Sequence, residues 1–152
     1  MEAKLEQIGD VFVCRLSGRM SYQSVDPFQQ ICLKNLVNRK VIFNLQGLSF
    51  VGSIGIGQFI DTMGELIKSP LGELKFCGVQ TEFRRIFEVN EGVNRVEIFE
   101  DEHRAHLAFQ GYAVPPLNAV FLSKLNQMHF IETEEEVSIN LEEDLDSEGF
   151  DA

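Results

Sequence analysis

Basic side chains are scarce in this sequence, which has 13 Lys and Arg against 24 Asp and Glu and a formal net charge of -11. No basic stripe offsets this balance, so nucleic-acid binding is not expected, and anionic membrane surfaces are disfavoured for the same reason. The sequence also lacks an apolar run near the ~20 residues that cross a bilayer, and its first residues lack the apolar region of a signal peptide. It therefore predicts a cytoplasmic protein that binds neither nucleic acid nor membrane.

Cysteine is scarce too, and Cys14, Cys32 and Cys77 stand far apart in apolar company. Such spacing favours reduced thiols that act as small core hydrophobes.

His103 and His106 form an HxxH pair, but two ligands without a third are weak evidence for zinc. No Gly-x-Ser-x-Gly elbow accompanies the histidines. We therefore expect no catalytic residue, no metal site and no cofactor, and the protein is predicted not to be an enzyme.

The negative charge is unevenly distributed along the chain. Residues 1–110 hold 12 Lys and Arg against 14 Asp and Glu, whereas residues 111–152 hold 1 against 10. Residues 1–110 are therefore predicted to form the folded domain. Apolar residues recur at helical spacing within residues 111–131, which indicates a short amphipathic helix. Residues 132–152 are predicted to be an acidic, disordered tail, because they have too little apolar area to stay folded.

Strand and helix patterns alternate along the predicted domain. Four segments have the pattern of strands: 11–16, 41–45, 74–79 and 96–99. Helical stripes lie between them, and the first helix is predicted to begin at Asp26 as its N-cap, with Pro27 in the first turn. Two strands followed by this alternation imply a mostly parallel or mixed sheet with helices packed on it.

The stretch LSFVGSIGIGQF, residues 48–59, places three glycines and two serines between apolar runs. A dinucleotide fingerprint would need a glycine where Ile60 stands, and the Gly-Lys-Ser/Thr of a P-loop does not follow. The simplest interpretation is a tight turn from a buried strand into a helix that begins near Gly55, with Ser53 as its cap. The same geometry places a hydroxyl among unpaired amide groups in a positive dipole field, where a phosphate is well accommodated.

Three segments together resemble the STAS domains, whose simplest members are bacterial anti-sigma factor antagonists. The segments are LSGRM, VIFNLQGLSFVGSIGIGQF and LKFCGVQTEFRRIFEVNEGVNRVEIFEDEHRAHLAF. The resemblance covers about residues 3–110. It implies an α/β fold with a STAS-like mixed β-sheet of about four to five strands packed with about four helices, followed here by the acidic C-terminal tail.

The resemblance implies a partner-switching protein without catalysis of its own. In this family the unphosphorylated domain binds a kinase-type anti-sigma factor, and phosphorylation of a serine in the hallmark turn abolishes that binding. Ser53 falls on the acceptor serine and is therefore the phosphorylation candidate. The expected partners are an anti-sigma factor of the serine kinase type and a phosphatase. The expected partner-binding residues are Phe50, Val51, Gly52, Ser53, Ile54, Gly55 and Ile56.

The hallmark turn departs from the family pattern at two positions, and these leave alternatives open. Gly52 replaces the usual aspartate, which helps to define the site for the kinase, and Ile54 replaces the frequent second serine. Ile54 either enlarges an apolar docking spot with Phe50 and Val51, which favours constitutive partner binding, or packs inward. The alternative role is an adaptor subunit of a transport or multiprotein scaffold complex without phosphoregulation, as some STAS domains are.

Overall fold

Strands and helices alternate along most of the chain. The computed structural model describes residues 1–50, 52–127, 145–147 and 150–151, with the backbone alone at residues 22, 52–54, 145–147 and 150–151. The strands are β1 (Glu2–Ile8), β2 (Val11–Met20), β3 (Lys40–Phe50), β4 (Glu73–Cys77), β5 (Glu97–Phe99), β6 (Leu145–Ser147) and β7 (Phe150–Asp151). The helices are α1 (Tyr22–Asn35), α2 (Gly52–Lys68), α3 (Thr81–Val89), α4 (Glu102–Phe109) and α5 (119–127).

The first five strands form one mixed sheet in the order β1-β2-β3-β4-β5. β1 and β2 pair antiparallel through the two-residue loop of Gly9 and Asp10, where Gly9 adopts a φ of 64°. A loop this short needs positive φ, which glycine adopts without strain. β2 to β5 pair in parallel, because α1, α2 and α3 carry the chain back between successive strands. The predicted α/β fold with a mixed sheet is confirmed.

The two faces of the sheet bury separate apolar clusters, because side chains alternate along each strand. The larger cluster packs α1, α2 and α3 against one face and includes the fully buried Phe43, Phe59 and Phe76. The smaller cluster lies on the other face, where Ala105 of α4 packs among strand residues that include Ile42. β3 contributes to both clusters, which explains the nearly continuous apolar sequence at its start.

The first helix begins earlier than its sequence pattern predicts. α1 starts at Tyr22, and the side-chain oxygen of Ser24 accepts a hydrogen bond from the backbone N–H of Ser21 at 2.9 Å. Asp26 and Pro27 lie inside the helix, so the prediction that Asp26 is the N-cap is wrong. The serine pair forms the local cap, and the fixed φ of proline, near -65°, is compatible with the helix that continues through it.

The chain divides into two units, Met1–Leu117 and Asn118–Ala152. The first contains the five-stranded sheet and α1 to α4. In the second, α5 forms a helix and β6 pairs antiparallel with β7. Apart from these two strands, the predicted tail of residues 132–152 lies outside the described residues. Its disorder and the domain boundaries derived from the sequence stay predictions.

All three cysteines of the chain are free thiols buried in the apolar clusters. Burial raises the pKa of Cys14 and of Cys77 to about 12, and it also raises the pKa of Cys32. The thiolate is the reactive form, so these side chains are protected while the protein is folded. The interpretation of the cysteines as small core hydrophobes is confirmed.

Candidate functional site

The candidate site lies at the carboxyl edge of the parallel strands. β2 and β3 end side by side, with Met20 opposite Phe50, and α1 and α2 begin just beyond them. α3 begins at Thr81, shortly after β4 ends. Loops and helix N-termini therefore converge at one edge of the sheet, which is where open α/β sheets usually meet their ligands and partners.

Ser53 lies in the first turn of α2. The helix begins at Gly52 and runs for 17 residues, so the interpretation of Ser53 as a cap preceding a helix near Gly55 is wrong. The first amide groups of a helix have no partner within it, and its N-terminus has a partial positive charge. The first turn of α2 contains no acidic residue that would offset this charge. An anion added at this turn is therefore electrostatically favoured.

Gly55 brings α2 into close contact with the end of β2. Gly55 is buried, and a Cβ atom at this position would lie 3.2 Å from the carbonyl oxygen of Met20. A side chain here would have to displace backbone. Gly57, two residues later, is exposed, and a Cβ atom there would meet nothing within 4 Å. The close approach of helix to strand therefore depends on the first of these glycines and not on the second.

Gly55→Val is expected to lower the free energy of unfolding by about 1–3 kcal/mol, because the added methyl groups push α2 away from β2. Gly57→Ala, the matched control, is expected to raise it by about 0.5–1 kcal/mol, because alanine favours the helix and has free space. Urea denaturation of the two variants and the wild type measures both changes. Unchanged stability of Gly55→Val would contradict the close approach.

The ring of Phe50 connects the site to the core. It contacts the edge or face of two other rings, with centroid distances of 5.4 Å to Phe59 of α2 and 4.7 Å to Phe83 of α3. Phe59 and Phe83 also contact each other at 6.1 Å. Three aromatic rings from β3, α2 and α3 thus fix the middle of α2 and the first turn of α3 relative to the last residue of β3. Of the three rings, the sequence assigned only Phe50 to the site, and it assigned neither Phe59 nor Phe83.

The structure brings the predicted partner-binding residues together only in part. Phe50 and Ile56 are half-buried and pack against the larger apolar cluster, and Gly55 is buried. Residues 52–54 form the first turn of α2. Val51 lies outside the described residues. The predicted contact of this stretch with a partner stays a prediction, and the packing leaves only part of the Phe50 and Ile56 side chains for that contact.

A polar network on the other face of the sheet was not anticipated from the sequence. The Arg15 guanidinium of β2 donates to both carboxylate oxygens of Glu102, from Nε at 2.7 Å and from Nη2 at 2.8 Å. Asn44 Nδ2 donates to the same carboxylate at 2.8 Å, and Arg15 Nη1 donates to Glu6 at 2.7 Å. The hydrogen bonds from Arg15, and secondarily the one from Asn44, hold the pKa of Glu102 below its ordinary value of 4.5, although partial burial of the carboxylate acts in the opposite direction. The network fastens the N-terminus of α4 to the sheet.

Glu102→Gln is expected to lower the free energy of unfolding at neutral pH by about 1–2 kcal/mol, because it removes charged hydrogen bonds from a partly exposed network. The lowered pKa of Glu102 in the folded state means that this stabilisation is present above pH 4.5 and is lost as the pH falls through the folded-state pKa. The difference between variant and wild type should therefore shrink in acid. Glu100→Gln, an exposed control two residues away, should have little effect. Denaturation at several pH values measures both.

The histidines of α4 do not form a metal centre with their neighbours. No group of three or more His, Cys, Asp or Glu side chains among the described residues is placed to hold a metal ion. His103 is exposed, whereas Nε2 of His106 is buried without a hydrogen-bond partner within that part of the chain.

None of the described helices has both the length and the apolar character required to cross a membrane.

Known proteins share this fold. The chain matches the STAS domain family over residues 2–105. It is similar to the Bacillus anti-sigma factor antagonist SpoIIAA in its unphosphorylated form, with 18% sequence identity and a TM-score of 0.55 over 73% of this chain and 100% of that chain. The phosphorylated form of SpoIIAA gives 18% identity and a TM-score of 0.55 over 72% and 99% of the two chains.

Two further solved structures are similar over a comparable share of the chain. An anti-sigma-factor antagonist (STAS) domain protein from Planctomyces limnophilus has 18% identity and a TM-score of 0.58, over 72% of this chain and 98% of that chain. The murine Solute Carrier 26 family member A9 anion transporter has 15% identity and a TM-score of 0.54, over 70% of this chain and 19% of that chain. Since the family match spans most of the sequence, the chain belongs to the STAS domain family.

Proposed function

We propose that this protein is an anti-sigma factor antagonist-like partner-switching module in bacterial signal transduction, controlled by phosphorylation at Ser53. The observation that carries the proposal is the position of Ser53 in the first turn of α2, immediately beyond the carboxyl ends of β2 and β3. In this proposal the protein acts in the cytoplasm by binding other proteins and catalyses no reaction. Residues 1–110 supply the switch.

The switch would act by local electrostatics. A phosphoserine adds about 1.5 to 2 negative charges and three acceptor oxygens at neutral pH. The N-terminus of α2 accommodates that charge, because its first turn has free amide groups and no acidic side chain. Phe50 lies directly before the turn and is held by Phe59 and Phe83. The fold would therefore stay intact on phosphorylation, while a partner docked on this turn would meet a new desolvated charge.

The proposed partner is an anti-sigma factor of the serine kinase type, with a phosphatase that restores the binding-competent form. Support comes from the likeness to SpoIIAA, an anti-sigma factor antagonist known in unphosphorylated and phosphorylated forms. Binding of the unphosphorylated chain would remove the anti-sigma factor and thereby regulate transcription. Gly52 and Ile54 are the residues that distinguish this turn from the usual family pattern, so they bear on how well a kinase recognises it.

The experiment is to incubate the purified chain and ATP with the kinase-type protein that co-purifies with it, and to map the phosphorylated residue by mass spectrometry. Phosphate is expected at Ser53, and Ser53→Ala should abolish it. Ser49→Ala is the matched control, because Ser49 is an exposed serine of the same segment that ends in Phe50. Phosphorylation that is absent from the wild type, or that survives in Ser53→Ala, would contradict the proposed switch.

A second candidate function is that of an adaptor in a transport complex, without phosphoregulation. It is favoured by the likeness to part of the Solute Carrier 26 anion transporter. The proteins recovered by affinity purification separate the two functions. A kinase and a phosphatase support signalling, whereas a transporter subunit that binds the wild type and Ser53→Asp equally supports the adaptor.

A further inference from the structure

The outer edge of β1 is open in the part of the chain that the structure describes. β1 stands at one end of the sheet, pairs with β2 along its full length and has no described strand on its other side. The opposite edge differs, because the backbone N–H of Leu117 donates to the carbonyl of Ile98 in β5 at 2.6 Å. Along its seven residues β1 therefore presents the backbone donors and acceptors that point away from β2, and these can pair with another strand.

The exposed side chains of β1 include apolar ones. Leu5 is 40% exposed and Ile8 is 42% exposed, on opposite faces of the strand. Lys4 and Glu6 flank Leu5 and are both exposed. Among the described residues Lys4 has no ion-pair partner, and across the hairpin it stands opposite Arg15, a residue of like charge. An acidic side chain on the outer side of β1 would therefore improve the surroundings of Lys4.

We propose that this edge is a self-association surface, on which β1 of a second copy pairs antiparallel about a twofold axis at Leu5. Directly opposite residues would then have numbers that add to ten. Leu5 would meet its own counterpart, and Lys4 of each copy would meet Glu6 of the other. The sequence of β1 is thus self-complementary in charge about its central residue, and all seven residues find a partner.

Neighbouring registers lack this complementarity. Opposite residues of an antiparallel pair point to the same face, so the axis of a symmetric pair must pass through a residue. An axis at Lys4 would place Lys4 against Lys4 and Glu2 against Glu6, whereas an axis at Glu6 would place Glu6 against Glu6. Like charges directly opposite are destabilising. The axis at Leu5 is therefore the favoured one, and it extends the sheet without using α2 or its N-terminus.

The hydrogen bond within the chain to Glu6 is compatible with this pairing. Arg15 Nη1 donates to Oε1 of Glu6, and the Glu6 side chain is 52% exposed. A carboxylate has two acceptor oxygens, so Glu6 can receive a lysine from the second copy while it keeps its bond to Arg15. Two such pairs form per dimer. Because a single strand pair is a small interface, the dimer should form at high protein concentration.

A cysteine at the proposed axis tests the geometry directly. Leu5→Cys should form an intermolecular disulfide under mild oxidation, because opposite residues of paired strands have the Cα separation that a disulfide needs. Gln7→Cys is the control, since Gln7 is exposed but its counterpart would lie about 13 Å away, four residues along the strand. The native thiols are buried and give little background. Cross-linking at least about tenfold faster for Leu5→Cys than for Gln7→Cys supports the proposal. Equal rates overturn it.

Charge reversal tests the register in the uncrosslinked protein. Lys4→Glu or Glu6→Lys alone would place like charges opposite each other and should lower the dimer association constant by about tenfold in sedimentation equilibrium. The double variant Lys4→Glu/Glu6→Lys restores both ion pairs and should restore association. Failure of the double variant to regain affinity, or a wild type that stays monomeric at millimolar concentration, overturns the proposal. Neither result bears on phosphorylation at Ser53, so the two proposals fail independently.

Discussion

Ser53→Asp is expected to weaken binding to the kinase-type partner by at least about 1 kcal/mol, or about fivefold in Kd, while the protein remains folded. The carboxylate would occupy the first turn of α2, where the helix N-terminus tolerates a negative charge in the free protein. In the complex the same charge would be desolvated without a partner, which is costly. Isothermal titration calorimetry with the partner that co-purifies with the wild type measures the change.

Gln58→Glu is the matched control for this substitution. It adds the same charge to the same helix at an exposed position five residues beyond Ser53 and outside the predicted partner-binding stretch. It should leave Kd nearly unchanged, as should Ser53→Ala, which adds no charge. If Ser53→Asp is folded and binds as tightly as the wild type, the first turn of α2 is not the switch. If Gln58→Glu weakens binding to the same extent, the effect is one of net charge and not of position.

Phe59→Ala is expected to lower the free energy of unfolding by about 3–5 kcal/mol, the largest stability change proposed for this chain. Phe59 is fully buried and contacts three rings, with centroid distances of 5.8 Å to Phe28, 5.4 Å to Phe50 and 6.1 Å to Phe83. Its removal leaves a cavity between α1, α2 and the end of β3. Partner affinity should fall as well, because Phe50 loses a ring that holds it beside the candidate site.

Tyr112→Ala provides the comparison, since it truncates an aromatic ring that is 64% exposed. Its effect should stay within about 0.5 kcal/mol, the usual range for surface substitutions. Guanidinium denaturation followed by circular dichroism gives both values. A loss below about 1 kcal/mol for Phe59→Ala would mean that the site collapses around the truncated side chain, contrary to its position among three rings.

The local sequence was sufficient for most of the secondary structure. Apolar residues recur at helical spacing in α2 and are nearly continuous at the start of β3. Both patterns indicate which side chains are buried, because backbone geometry decides which residues share a face of a helix or strand. The start of α1 was misplaced because Asp26 and Pro27 carry a strong N-terminal signal of their own. In the structure the cap is formed by Ser21 and Ser24, and Ser21 stands more than one turn before Asp26. The helix therefore begins at the earlier serine cap, although Asp26 and Pro27 are also residues typical of a helix start.

The candidate site was located by sequence, but its construction was not. The sequence predicts a junction between a strand and a helix here, because a glycine-rich stretch stands between a buried strand and a helical stripe, and the structure begins α2 at Gly52. The contact of Phe50 with Phe83, by contrast, joins side chains from β3 and α3, and no linear pattern marks it. The close approach of Gly55 to Met20 is equally invisible along the chain, since glycine has no side chain whose pattern could report a contact.

The alternation of strands and helices and the position of Ser53 between β3 and the apolar stripe of α2 could be predicted from the amino-acid sequence, because these depend on periodicity and on residues that are neighbours in the chain. Tertiary structure alone decided that Arg15 and Glu102, 87 residues apart, share two hydrogen bonds, and that β1 stands at an open edge of the sheet. Strand order arises when helical crossovers return the chain to the sheet, and the pairing of distant side chains follows from that order.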